Sequence, residues 1–158
     1  MQQVTMRELG NEQLWEDLEL RDLNSRILIL ENDPNMEGIF KAIVKKVTKQ
    51  LDVEWLTYAE DALASIHEAA EKGALSPYAL IIADIMLDGP VDGIEFWRET
   101  KNLFPDTPIV LTSALEFEDF SWKNEIQTSS PIFLHKPFSW RDCRRLFENL
   151  IHNSSQLN

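Results

Sequence analysis

Cysteine is nearly absent from this chain of 158 residues. The lone Cys143 excludes an internal disulfide and any cysteine-rich metal site. A small apolar filler in a C-terminal helix is its simplest role. Long hydrophobic runs are missing too, since none approaches the roughly 20 residues needed to span a bilayer. The opening MQQVTMRELG lacks the basic start and apolar core of a secretory signal. These absences predict a soluble, cytoplasmic protein without membrane contact. Positive charge is scarce, with 15 Lys and Arg against 27 Asp and Glu and a net charge of -12. Nucleic-acid binding needs a clustered basic face. The densest basic groups are Lys41, Lys45, Lys46 and Lys49, and Arg141, Arg144 and Arg145. Both fall on predicted helices and read as solvated faces. The acidity therefore favours protein partners over nucleic acid.

A hydrophobic fraction of 44% and this length suit one domain with a real core. Residues 1–25 differ in pattern from the remainder of the chain. Leu14, Trp15, Leu18 and Leu23 fall near helical spacing among Glu12, Glu16, Asp17, Glu19 and Asp22, with Asn11 as a candidate N-cap. This predicts an acidic amphipathic N-terminal helical extension. Its plain role is to pack on the main domain; its functional role would be a homodimer or partner contact.

From Arg26 a regular alternation begins. RILIL reads as a buried strand. A helix comes next, with Pro34 near its start and Ile39, Ile43 and Val47 at four-residue spacing. VEWLTYA is a second strand, and EDALASIHEAAEKG a helix closed by Gly73. ALIIAD is the third strand, and DGIEFWRETKNLF a helix stopped at Pro105. PIVLTS, a weak helix in EFEDFSWKNEIQ, and the strand PIFLH come after it. The last helix is SWRDCRRLFENLIHN, with Ser139 as N-cap. Residues 26–153 thus form one domain, and 154–158 a frayed, disordered tail. Apolar strands alternating with helices imply an α/β fold with a parallel sheet covered on both faces. Ligands of such sheets sit at the carboxyl ends of the strands.

Polar groups gather at those ends. Asp84 closes the third strand, where an unpaired buried carboxylate would cost several kcal/mol. Glu31, Asn32 and Asp33 come after the first strand, Thr112 and Ser113 end the fourth, and Lys136 succeeds the fifth. Alone, Asp84 is equally well explained as a helix N-cap or a loop residue. Together the residues describe a chemistry. A carboxylate can attack phosphorus to form an acyl phosphate. Mg²⁺ and a Lys ammonium would neutralise the incoming charge, and Mg²⁺ needs only one or two side-chain oxygens beside its waters.

Four stretches, ILILENDP, LIIADIML with the DG beyond it, PIVLTSA and FLHKPF, occur in this order on five βα repeats. In this the chain from about Arg26 to His152 resembles the receiver domain of two-component response regulators. The resemblance implies a flavodoxin-like, three-layer fold with strand order 2-1-3-4-5. It implies that Asp84 is a phosphoacceptor served by a histidine kinase or histidine phosphotransfer protein, as in a phosphorelay. By the same resemblance Glu31 and Asn32 take the places of the family's acidic pair. The Met86 backbone carbonyl becomes a further Mg²⁺ ligand, Ser113 the switch hydroxyl, Phe133 the switch aromatic and Lys136 the phosphate-binding lysine. The Lys136-Pro137 peptide is expected cis. The implied protein is a stand-alone regulator that acts on a downstream protein target and is not an enzyme beyond its own phosphorylation and dephosphorylation.

Departures from the pattern matter. Asn32 replaces a second carboxylate, so Mg²⁺ binding is expected to be weak; Asp33 is expected to face solvent. DIMLDGPVDG is one residue longer than the family's usual loop, with a turn expected at Asp88-Gly89. After Ser113, Phe117, Phe120 and Trp122 either pack on the core or form a partner patch. Met86 and Leu115, each two residues beyond a site residue, cannot hydrogen-bond and orient a hydrolytic water, which predicts a long-lived phosphoryl group. His67, His135 and His152 show no metal-ligand spacing. Two rivals remain. One is a pseudo-receiver, a phosphorylation-independent scaffold, favoured by Asn32 and the long loop. The other, a phosphatase of the haloacid-dehalogenase type, is disfavoured because its nucleophile belongs on the first strand with a second Asp two residues on, where this chain has Met86.

Overall fold

The structure is a computed structural model and describes residues 26–115 and 131–154. The N-terminal extension, the weak helix and aromatic cluster after Leu115, and the tail beyond Ser154 lie outside the described residues. Element order is β1 (Arg26–Leu30), α1 (Pro34–Val47), β2 (Asp52–Leu56), α2 (Ala59–Glu71), β3 (Tyr78–Asp84), α3 (Gly93–Leu103), β4 (Ile109–Ser113), β5 (Ile132–His135) and α4 (Trp140–Ser154). The five strands form one parallel sheet in the order β2-β1-β3-β4-β5, as expected for the flavodoxin-like fold.

Among the described residues, two helices cover each face. Ile27 and Ile29 of β1 join Leu80, Ile82 and Val110 under Phe40, Ile43 and Val44 of α1 and Cys143 and Phe147 of α4. Leu28, Leu30, Ile81, Ala83 and Leu111 face Ala62, Leu63 and Ile66 of α2 and Ile94, Phe96 and Trp97 of α3. Alternate residues of the central strands therefore enter opposite cores, which explains why these strands are apolar at nearly every position. Cys143 is buried, and burial pushes its thiol up to about 12, consistent with a filler role.

Local chemistry sets the helix ends. Asp33 and Asp92 cap α1 and α3 by accepting backbone N–H bonds, and Pro34 opens α1. Ser139 Oγ accepts from Asp142 N at 3.1 Å and donates to Asp142 Oδ2 at 2.6 Å at the start of α4. Gly73, at φ +65°, ends α2 by donating to Ala70 O, while Ala74 N donates to Ala69 O. Three readings need adjustment. Ile39 is exposed, and the buried stripe of α1 runs instead through Phe40, Ile43 and Val44. β2 ends at Leu56, before Tyr58 and Ala59, because α2 already begins at Ala59. The last helix includes Ser154.

Candidate functional site

Strand register brings the predicted residues to one edge. Asp84 pairs with Thr112, and Ser113, one residue further, pairs with His135. Lys136 N donates to Ser113 O at 2.7 Å, so the chain leaving β5 is fixed beside the end of β4. The Lys136-Pro137 peptide is cis. From this point the Lys136 side chain crosses to the acids. Its Nζ lies 2.6 Å from Asp84 Oδ2 and 2.5 Å from Glu31 Oε2. Asp84 Oδ1 accepts from Met86 N at 3.0 Å, and Glu31 Oε1 accepts from Asp33 N at 3.0 Å.

Glu31 is 1% exposed and Asp84 8%, so both carboxylates are withdrawn from water. Such burial is tolerable only with counter-charge and hydrogen bonds, and Lys136 supplies both. Burial holds the Glu31 carboxyl above its usual range; the Lys136 and Asp33 hydrogen bonds offset this in part, and the Asp84 charge adds to it. Burial works against the Lys136 charge as well. The hydrogen bonds and charges of Asp84 and Glu31 together outweigh it and hold the ammonium above its ordinary value.

Around this triad, Asn32 is half-buried at the mouth, while Met86 (60%) and Leu115 (46%) are exposed at the rim. Ser113 is fully buried, and its Oγ accepts from Leu115 N at 3.0 Å. Phe133 packs against the α2–α3 core. Asp33 spends its carboxylate on capping α1, through Asn35 N at 2.9 Å, and does not join the acids. Glu31 and Asp84, with Asn32 next to Glu31 in the chain, offer hard oxygens, the donor chemistry that suits Mg²⁺. Among the described residues no group of three or more His, Cys, Asp or Glu is arranged to hold a metal ion. A cation here would therefore rest on two carboxylates plus amide, carbonyl and water oxygens. Of the histidines, His67 bonds Glu99 Oε1 at 2.5 Å, His135 Nε2 lies 3.1 Å from Ala114 O, and His152 Nδ1 lies 2.7 Å from Glu148 O.

Two site-supporting residues escape a reading by motif. Gly93 N donates to Ile85 O at 3.0 Å, and a Cβ at Gly93 would lie 2.1 Å from Asp84 O. Only glycine lets α3 start against the strand end that carries Asp84. The DG pair in the sequence signals a turn but not this contact. The second, Glu60, sits in the first turn of α2 and accepts from Val91 N at 3.1 Å. Nothing in the sequence joins residues so far apart.

The fold and this edge define a class. The family model described as response regulator receiver domain matches residues 27–148, and the chain belongs to that family. Among curated proteins it is 29% identical over 135 residues to regulatory protein VanRB of Enterococcus faecalis, covering 85% of this chain and 56% of that one. To transcriptional regulatory protein ResD of Bacillus subtilis it is 25% identical, covering 84% and 50%. The chain thus spans about half the length of the curated relatives it matches. A CheY-like receiver domain protein from Methanospirillum hungatei has the same fold, with a TM-score of 0.65 at 19% identity, covering 85% of this chain and 99% of that one. The receiver domain of a sensor histidine kinase from Pseudomonas aeruginosa, solved with magnesium coordinated in its active-site cleft, matches with a TM-score of 0.60 at 20% identity, covering 82% and 98%. Receiver domains are signalling modules rather than turnover enzymes, and they work with histidine kinases and downstream targets. No helix among the described residues is long and apolar enough to cross a membrane.

Proposed function

We propose that the chain is a phosphorylatable switch. Asp84 accepts a phosphoryl group from a histidine kinase or a histidine phosphotransfer protein, and the protein signals through contacts with a downstream protein. The observation that carries this reading is the double engagement of Lys136 by Asp84 and Glu31. It is a preformed charge arrangement at the end of the strand bearing the acceptor.

In the proposed step an Asp84 carboxylate oxygen forms a bond to phosphorus as the P–N bond of phosphohistidine breaks. The bonding electrons return to the imidazole nitrogen. Lys136 is already within hydrogen-bond reach of Asp84, so it can follow the phosphoryl oxygens without a large rearrangement. Glu31, Asn32, Asp84 and the Met86 carbonyl would hold Mg²⁺, which when bound supplies positive charge to the transferring group. Ser113 is buried at the adjacent strand end, and its hydroxyl would turn from Leu115 N to a phosphoryl oxygen. That exchange, with Phe133 behind it, would carry the change to the β4–β5 side of the sheet.

A second reading, a pseudo-receiver acting as a fixed protein-binding scaffold, is favoured by Asn32 and the lengthened loop. Titration with Mg²⁺ and then with beryllofluoride, a phosphoryl mimic, separates the two by backbone amide NMR. The switch predicts Mg²⁺-dependent shifts at Ser113, Phe133 and residues 115–127 that Asp84→Ala abolishes. No response at high Mg²⁺ would mean that Asn32 and the lengthened loop have silenced the site, and would direct the search to constitutive binding partners.

A further inference from the structure

The loop between β3 and α3 is where this chain is longer than the receiver pattern, and it is fastened at three points. Its near limb is held by Met86 N on Asp84 Oδ1, at 3.0 Å. Its end is held by Gly93 N on Ile85 O, also at 3.0 Å. The third fastening comes from another element, because Val91 N donates to Glu60 Oε1 at 3.1 Å across 31 residues.

Glu60 is an unusual choice for this task. Its second oxygen, Oε2, is buried and has no hydrogen-bond partner among the described residues. An acid in the first turn of a helix is ordinarily explained by the helix dipole. That role needs no burial, and Asp61 beside it is exposed and already fills it. Taking a carboxylate oxygen out of water is costly, so the position calls for something that Glu60 holds. Gly89 lies against the same carboxylate. Its φ is +106°, and a Cβ there would be 3.1 Å from Glu60 Oε1, 3.3 Å from Oε2 and 3.4 Å from Tyr58 Cδ1. The added length of the loop is thus folded down on Glu60 at a glycine, while Leu87 and Val91 rest on the core.

We propose that Glu60 is a positioning residue for the phosphoryl-transfer site. By pinning the far limb of the lengthened loop to α2, it keeps the Ile85–Met86 limb in the path that presents the Met86 carbonyl to the cation. The inference rests on the switch reading above. It explains how a receiver site could keep its geometry with an extra residue in the bordering loop. Glu60 touches neither Asp84 nor Lys136 in any of these contacts; it acts through the backbone of the loop.

The test uses the full chain and two variants, Glu60→Ala and Glu60→Gln, titrated with Mg²⁺ and then with beryllofluoride. Amide shifts at Met86 and Val91 and thermal unfolding without Mg²⁺ are followed in parallel. Removing an outer-shell support commonly weakens metal binding by roughly 10–100-fold, so Glu60→Ala is expected to lose about tenfold in Mg²⁺ affinity. Gln keeps an acceptor for Val91 N–H and is expected to stay within about twofold of the parent. The unfolding midpoint should change little in either, because the substituted residue, Glu60, belongs to neither core. Gly89→Ala, which drives a Cβ onto the Glu60 carboxylate, should reproduce the loss with Glu60 in place. Full Mg²⁺ affinity in Glu60→Ala, or a Gln variant as weak as the Ala variant, overturns the inference alone. A parent protein without any Mg²⁺ or beryllofluoride response overturns the switch reading and this inference with it.

Discussion

Lys136 and Glu31 stand 105 positions apart in the chain, yet Lys136 Nζ lies 2.5 Å from Glu31 Oε2. Glu31 is almost fully buried and Lys136 largely so, and the same ammonium reaches Asp84. This bond joins the ends of β1 and β5, two strands with β3 and β4 between them. It makes the charge balance of the site a property of the whole sheet.

Removing the ammonium should therefore be felt in stability as well as in signalling. Lys136→Ala leaves two buried carboxylates without their counter-charge, and loss of such a charged partner costs about 2 kcal/mol. In Mg²⁺-free buffer the urea midpoint of Lys136→Ala is expected to fall accordingly. Added Mg²⁺ should recover part of the loss by neutralising the same acids. An unchanged midpoint in urea would show that the pair is not engaged in solution.

The raised pKa of Glu31 has a definite sign. A group whose folded pKa lies above its unfolded value binds its proton more tightly in the folded state. That stability is fully present below the unfolded value of 4.5 and is lost as pH rises through the folded value. Glu31→Gln should hence unfold at a higher temperature than the parent at about pH 7.5 without Mg²⁺, and the gap should close below pH 4.5. The same variant should bind Mg²⁺ more weakly, because a carboxylate proposed to hold the cation is gone. A Gln variant less stable than the parent near neutral pH would reverse the assignment.

Gly93→Ala probes the packing of α3 on the end of β3. The added Cβ would meet Asp84 O at 2.1 Å and Ile85 Cα at 2.7 Å, both backbone atoms that cannot simply rotate away. Overpacking of this kind costs roughly 1–3 kcal/mol. Chemical denaturation should show that loss, and NMR should place the largest amide shifts at Asp84, Ile85 and Met86. Shifts confined to α3 would mean that the helix, not the site, gives way.

On the proposed switch reading, the lifetime of a phosphoryl group on Asp84 depends on what can guide water to it. Met86 and Leu115 are exposed at the rim of the site, and neither side chain can accept or donate a strong hydrogen bond. The purified phosphoprotein is expected to lose its label slowly. Substituting Met86→Asn should shorten the half-life, on the order of several-fold, by giving the water a partner. Rapid loss of label from the parent protein, with no phosphatase present, would contradict the idea.

Much of this was legible in the residues. The apolar runs Ile27–Leu30, Leu80–Ala83 and Ile109–Leu111 declare buried strands, since each such residue enters one core or the other. Pro34, Ser139 and Gly73 mark helix ends, Ser139 and Gly73 through hydrogen bonds reaching only a few residues along the chain. Caps and strand patterns are local physics, so the sequence by itself determined them, and with them the alternation that places Asp84, Ser113 and Lys136 at one edge.

Other features were decided only by the tertiary structure. Rotation of α1 about its axis, set by the packing of Phe40 and Val44 beside Ile43, left Ile39 in solvent despite its helical spacing. Close approach of Gly93 to the Asp84 backbone and the bond from Val91 to Glu60 depend on how α2 and α3 settle beside β3. These contacts join residues on different elements, and their distances are fixed by packing between layers, which no local pattern encodes.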